Sequence, residues 1–453
     1  MNKRKRPLLP GLLAAPVLFA LGAALSGPAQ AIPLVVEEFN SLYVGVDGTT
    51  STSISGSKTY DFVGVGVRST EPLLTGNAPF AGNPSGTLDV GVGASLSLNY
   101  LPATISLPRP LDNSVVLGNG LNSSGTLNVT GGTVSAPMLF VGQADNSRPS
   151  TGTATISAGG TFNATLDSGP AGPLPGFPAV NVGRGLGSTG TLTVTGTGST
   201  LTASAGMMSI GREGSGTLNV LDGGVVTVGN TVFGSTVSST GSATILVQGA
   251  GSRLDAGSND ILVGIATNKS AAATHGTAEL NVRDGAMVSG NVFLGAGGTL
   301  KGDGTISGNV TNNGGTVSPG NSPGTLHVTG NYAQTGGVMV IEIAGPSVFD
   351  MLDVTSSVLL DNVLIRFAFI GGYAPQLGDV FDFIHAPSLT NTNPQYEVTG
   401  LMPGFQYGVI ATVDGLALAA RTAGIAIPEP SALGLLSLAL LALAVHRRRL
   451  GRR

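Results

Sequence analysis

Gly125-Thr126-Leu127-Asn128-Val129 is a short strand that opens on glycine and alternates apolar and polar residues, and near copies of it recur along the chain. They stand at Gly86-Thr-Leu-Asp-Val90, Gly152-Thr-Ala-Thr-Ile156, Gly190-Thr-Leu-Thr-Val194, Gly216-Thr-Leu-Asn-Val220, Gly276-Thr-Ala-Glu-Leu280 and Gly324-Thr-Leu-His-Val328, with looser copies from Gly241 and Gly298. Successive glycine spacings from Gly125 are 27, 38, 26, 25, 35, 22 and 26, a period near 26 with two insertions of about ten residues. Each unit also carries an apolar pair closing on glycine, as in Phe140-Val141-Gly142 and Leu262-Val263-Gly264, and a Gly-Gly turn with a third strand, as in Gly223-Gly224-Val225-Val226. Three short strands per unit, parted by glycine turns, describe one coil of a parallel β-solenoid. Side chains change face at every strand residue, so Leu127 and Val129 point inward and Thr126 and Asn128 outward. Stacking then aligns Leu127, Leu192 and Leu218 inside, and Asn128, Thr193 and Asn219 outside. Residues 86–345 hold on the order of ten coils about 4.8 Å apart, a rod of roughly 50 Å.

Composition agrees with an all-β chain. Of 453 residues 71 are Gly and 26 Pro, charged residues make up 10% and aromatics 5%, and there is neither Cys nor Trp. At 41% hydrophobic the chain is too apolar for a disordered one. The absence of cysteine excludes disulfides, thiolate metal sites and cysteine nucleophiles.

The two ends read differently from the middle. Residues 1–31 have a basic start, an apolar run and the small-x-small ending Ala29-Gln30-Ala31, the pattern of a signal peptide cleaved after Ala31 by signal peptidase. At the far end Pro428-Glu429-Pro430 precedes an apolar run over 431–445 and the arginines Arg447, Arg448, Arg449, Arg452 and Arg453. As a helix, that run spans about 22 Å against a hydrocarbon core of roughly 30 Å, short for a permanent transmembrane anchor. The arginines predict a cytoplasmic end, with everything before them outside. Without both ends the body keeps 12 basic and 24 acidic residues, a net charge near −12. That argues against nucleic acid or an anionic membrane as a partner, since both need a basic patch.

The tail resembles the PEP-CTERM sorting signal, with Ile427 where Val is usual. The resemblance implies an inner-membrane stage, cutting near Pro428 to Pro430 by an exosortase, and delivery of the body to the cell surface, extracellular matrix or exopolysaccharide of a biofilm. Residues 86–345 are similar to the repeat shared by autotransporter passengers and PEP-CTERM proteins. The stretch from Gly302 through Val328, continued by Asp350-Met-Leu-Asp-Val354, is similar to the closing coils of such passengers. A terminal outer-membrane barrel is not expected, because the tail is one short apolar segment.

The expected organisation is a signal peptide over 1–31, an N-terminal β cap over 32–85 with Phe39, Leu42, Tyr43 and Val44 as core, the solenoid over 86–345, and a C-terminal β cap over 346–422. The sorting signal with its membrane helix occupies 423–453, and 421–430 read as a linker.

Candidate chemistry is sparse. Asp222 and Asp284 sit in Asp-Gly turns, in the place of Thr130 or Ala158 of other coils, and read as turn formers. His275, His327 and His385 show no partner at a motif spacing, and His327 fills an outward strand slot. Gly302-Asp303-Gly304 and Ser258-Asn259-Asp260 are only fragments of a calcium repeat. Arg184 and Arg212, both after a corner glycine, are expected one coil apart as solvated turn residues near Glu213. The reading is a structural or adhesive protein with no catalytic residue, metal or cofactor. The alternatives are a β-helical lyase or glycosidase and a carbohydrate-binding module.

Overall fold

The computed structural model describes residues 35–38, 40–46, 48–67, 83–99, 114–144, 149–170, 176–235, 240–265, 267–269 and 276–427. Every regular element among them is a β-strand, and no helix among them is long and apolar enough to cross a membrane. The helix expected over 431–445 lies outside the described residues, as do residues 1–34 and Phe39.

The strands form a three-faced parallel β-solenoid. The repeated phrase supplies the second face, a 14-stranded sheet in which all strands but Val348–Phe349 lie on one path, giving thirteen levels. The first face holds the strands that close on the corner glycine, such as Met138–Gln143 and Val180–Arg184, and the third holds those after the Gly-Gly turn, such as Thr133–Ala136 and Thr161–Ala164. First and third faces join into one 26-stranded sheet because Arg253–Val263 and Met287–Leu294 each run from the third face of one coil into the first face of the next. At about 4.8 Å per level, the stack is on the order of 60 Å long.

Alternation sets inside and outside as the sequence predicts. Leu88, Leu127, Ala154, Leu192, Leu218, Ile245, Leu280 and Leu300 are register partners level by level, and all are buried. Each buried Leu contributes about 1.5–3 kcal/mol, so the column is a continuous source of stability along the axis. The outward column runs Asp89, Asn128, Thr155, Thr193, Asn219, Leu246, Asn281 and Lys301, with Asn128 donating to Asp89 at 2.8 Å. Leu246 interrupts the polar ladder.

The glycine that opens the phrase has a steric cause. A Cβ on Gly190 would run into the Val141 carbonyl oxygen and the Gly183 amide of the first-face corner, where Gly183 itself has φ 68°. Two backbones approach too closely there for any side chain.

Three alignments differ from the sequence reading. Ala243, two residues after Gly241, pairs with Gly216, and Ala278, two after Gly276, pairs with Ala243. A slip of two residues leaves the inward set inward, so the glycine alone does not fix register. Thr325–Val328 lies on the third face, between Thr305–Ser307 and Met351–Val354, because alternation is common to all faces and does not name one. The two ten-residue insertions fall at corners, between Thr161–Ala164 and Val180–Arg184 and between Arg253–Val263 and Thr277–Arg283, where they leave the ladders intact.

Parallel stacking also extends past 86–345. It begins at Ser41–Val44, whose Leu42 and Val44 are core and whose Tyr43 meets Phe62 at 5.4 Å between centroids, and ends at Gln395–Thr399. Antiparallel pairs bound it, Val35–Glu38 with Ser41–Val44 at one end and, at the other, Gly415–Ala420 with Val380–His385 on one side and Tyr407–Ala411 on the other. The C-terminal coils are filled by rings, with Phe367, Phe381 and Phe383 buried and Phe369 edge-on to Phe381 and Phe405.

Candidate functional site

The third face places one residue of each coil in the same outward slot, and near the C-terminal end those residues are Thr305, His327, Asp353 and His385. Asp353 bridges the two histidines, its Oδ2 at 2.8 Å from His327 Nδ1 and its Oδ1 at 2.8 Å from His385 Nδ1. His385 Nε2 lies 2.9 Å from Asp414 Oδ2, in the turn between Tyr407–Ala411 and Gly415–Ala420. When protonated, His385 can donate from both ring nitrogens, one to each carboxylate. The hydrogen bond to Asp353 is the largest influence on its pKa and, with the hydrogen bond and charge of Asp414, raises it against an opposing desolvation. Burial pushes the Asp353 carboxyl up, but the hydrogen bonds and charges of His385 and His327 outweigh it and hold it below the usual range.

This corrects the expectation that the histidines lack partners, since His327 and His385 share one carboxylate across three coils. Half of it was visible, because Leu326-His327-Val328 and Leu352-Asp353-Val354 fill the same slot in successive copies. The strand Val380–His385 lacks the phrase, so nothing marked its histidine. His275 lies outside the described residues. Below this surface Asp350 is fully buried and accepts from the Gly324 and Glu342 amides at 3.0 and 2.9 Å, clasping two coils, and burial pushes its carboxyl up to about 7.

The other singled-out residues serve turns and edges. Asp222 and Asp284 have φ of 51° and 57° and are each followed by a positive-φ glycine, the backbone a tight left-handed turn demands. Ala158 shares that conformation, but Thr130 aligns with Ser157 and so sits one residue earlier than the aspartates' slot. Asp303 accepts from the Asp284 amide at 2.8 Å and Asp260 pairs with Lys269 at 2.8 Å. Among the described residues no three His, Asp or Glu side chains converge to hold a metal ion. Arg184 ends one strand and Arg212 follows its paired strand one coil on, and Arg212 lies 3.9 Å from Glu213. Arg184 is not simply solvated: its guanidinium lies over Phe177 and Phe140, at 4.7 and 5.6 Å from the ring centroids, and burial, then Arg212, lowers its pKa. No local phrase announced that contact, since Phe177 lies in the first insertion.

The stretch leading to the processing residues is tied to the body. Arg421 and Thr422 amides donate to the Gln406 carbonyl at 2.8 and 3.2 Å, Gly424 to Pro375 at 2.8 Å, and Ile427 to Gly400 at 3.1 Å, while the Met402 amide donates to Ile425 at 2.7 Å. Leu401 and Ala426 form an antiparallel bridge. The expected linker over 421–430 is therefore a bonded strap up to Ile427, because its backbone pairs with residues 400–406 and with Pro375. The cleavage residues Ala29 and Ala31, the motif Pro428, Glu429 and Pro430, and the arginines Arg447, Arg448, Arg449, Arg452 and Arg453 lie outside the described residues.

No curated protein matches the chain. Residues 426–449, which begin on the last bonded residues of the strap, match the family model of the PEP-CTERM protein-sorting motif, and that motif implies an exported protein processed by an exosortase.

Proposed function

We propose that this chain is a structural or adhesive surface protein, a β-solenoid exported behind a signal peptide cut after Ala31 and handed by exosortase processing to the cell surface or its exopolysaccharide matrix. The match of residues 426–449 to the sorting motif, beginning on the last bonded residues of the body, carries this reading. Pro428 and Pro430 keep the cut segment extended by denying it helix. The five arginines hold the tail in the inner membrane until it is cut. The similarity of the repeats to autotransporter passengers supports a passive scaffold whose outer Thr, Ser and Asn side chains form the contact surface. The His–Asp chain fits a scaffold better than a glycosidase, because a general acid needs an accessible carboxyl raised toward neutrality, whereas Asp353 is held low with both oxygens occupied and the raised carboxyl of Asp350 is fully buried.

Replacing Pro428, Glu429 and Pro430 by alanines tests this reading in a host carrying an exosortase. Export should persist while full-length protein accumulates in the inner membrane, read by fractionation and tail-epitope blotting. Equal tail retention in the unmodified protein would make the segment a plain anchor.

A further inference from the structure

The strap and the loop it pairs with present an apolar outer face. The Leu401–Ala426 bridge turns those two side chains toward the body, and alternation turns Met402, Ile425 and Ile427 away from it. They are 46%, 69% and 49% exposed, while Leu401 is buried. Neither 400–406 nor 422–427 contains an ionisable side chain, and Arg421 at the start of the strap lays its guanidinium against Gly408, in a body with a net charge near −12. Isolated apolar side chains on a surface are ordinary, but three on adjacent strands with no charge among them are not.

Tether length identifies what covers this face. Only Pro428, Glu429 and Pro430 separate Ile427, held by Gly400, from the apolar run that starts at Ser431. Fully extended, those four steps span at most about 14 Å. A tail seated in the bilayer thus brings the strap to the headgroup region, where an uncharged apolar face gains by burial.

We propose that Met402, Ile425 and Ile427 form a docking face for the lipid bilayer surface, on which the body rests until the tail is cut. This rests on reading 431–445 as a membrane segment. The contact is apolar, so it does not depend on anionic lipid.

The chain has no cysteine, so single-cysteine variants report cleanly. An environment-sensitive fluorophore is placed at Ala423→Cys on the strap, at Val92→Cys far along the solenoid, and at Leu438→Cys in the tail. Each full-length protein is reconstituted in phosphatidylcholine vesicles carrying a headgroup-level nitroxide lipid. Quenching at 423 should exceed that at 92 at least threefold, and the pair Met402→Glu and Ile425→Glu should abolish the excess while the tail label stays in the bilayer. If 423 is quenched no more than 92, or the charged pair leaves its quenching unchanged, with the tail label still in the bilayer, the docking face is wrong and the tail reading survives. If the tail label also stays in water and the protein does not float with the vesicles, both fail.

Discussion

Leu218 and Asn219 are neighbours in sequence with opposite environments, one fully buried between Leu192 and Ile245 and the other outward, donating to Thr193 Oγ1 at 3.4 Å. Leu218→Asp should cost several kcal/mol and disrupt its coil and the two beside it, since an unpaired charge would sit in a dry stack. Asn219→Asp should stay within about 0.5 kcal/mol. Thermal melts of the two variants check this, and equal shifts would reverse the assigned faces. His385 gives a pH signature. Its folded pKa lies above the unfolded one, so its contribution is full below about pH 6.5 and disappears as pH rises through the raised value. The melting difference between the unmodified protein and His385→Gln should therefore be largest near pH 6, on the order of 1 °C for so exposed a group, and vanish toward pH 9. The comparison must be differential, because Asp350, raised from 3.8 to about 7, lowers stability as pH climbs through that interval in both proteins.

At the level of a strand, legibility in the sequence follows from what each feature constrains. Alternation fixes which residues face inward, so the Leu127 and Leu192 column was readable from one phrase. Glycine marks a close approach of backbones rather than a register, which is why Gly241 and Gly276 misled by two residues while Gly190 did not. Gly190→Ala should cost about 1–3 kcal/mol or more, as its Cβ meets the Val141 carbonyl. Ala243→Gly, at the equivalent level two coils on, should cost only about 0.5–1 kcal/mol from added chain entropy, because the facing Gly234 leaves room for a methyl group. Chemical denaturation of the pair measures both. Long-range contacts were less legible. The bridge from Asp353 to His385 and the Arg184 stack on Phe177 join a repeat to an irregular segment, and no period reaches across such a join. The strap was hidden for the same reason, its bonds to residues 400–406 depending on a loop without a repeat.

Across the whole molecule the parallel stack, its antiparallel ends and the sorting motif follow in order, with the described body bonded through Ile427 and the PEP-CTERM match starting at residue 426. A strap bonded to the body leaves a protease only the residues beyond it, so the account places the cut after Ile427 and expects the mature body to keep the strap. The intact mass of the protein purified from its own host, with sequencing of both termini, tests this most directly. The mature chain is expected to start at Ile32 and end between Ile427 and Pro430, without the apolar run and the arginines. A mature protein that retains Arg447 through Arg453 would contradict it.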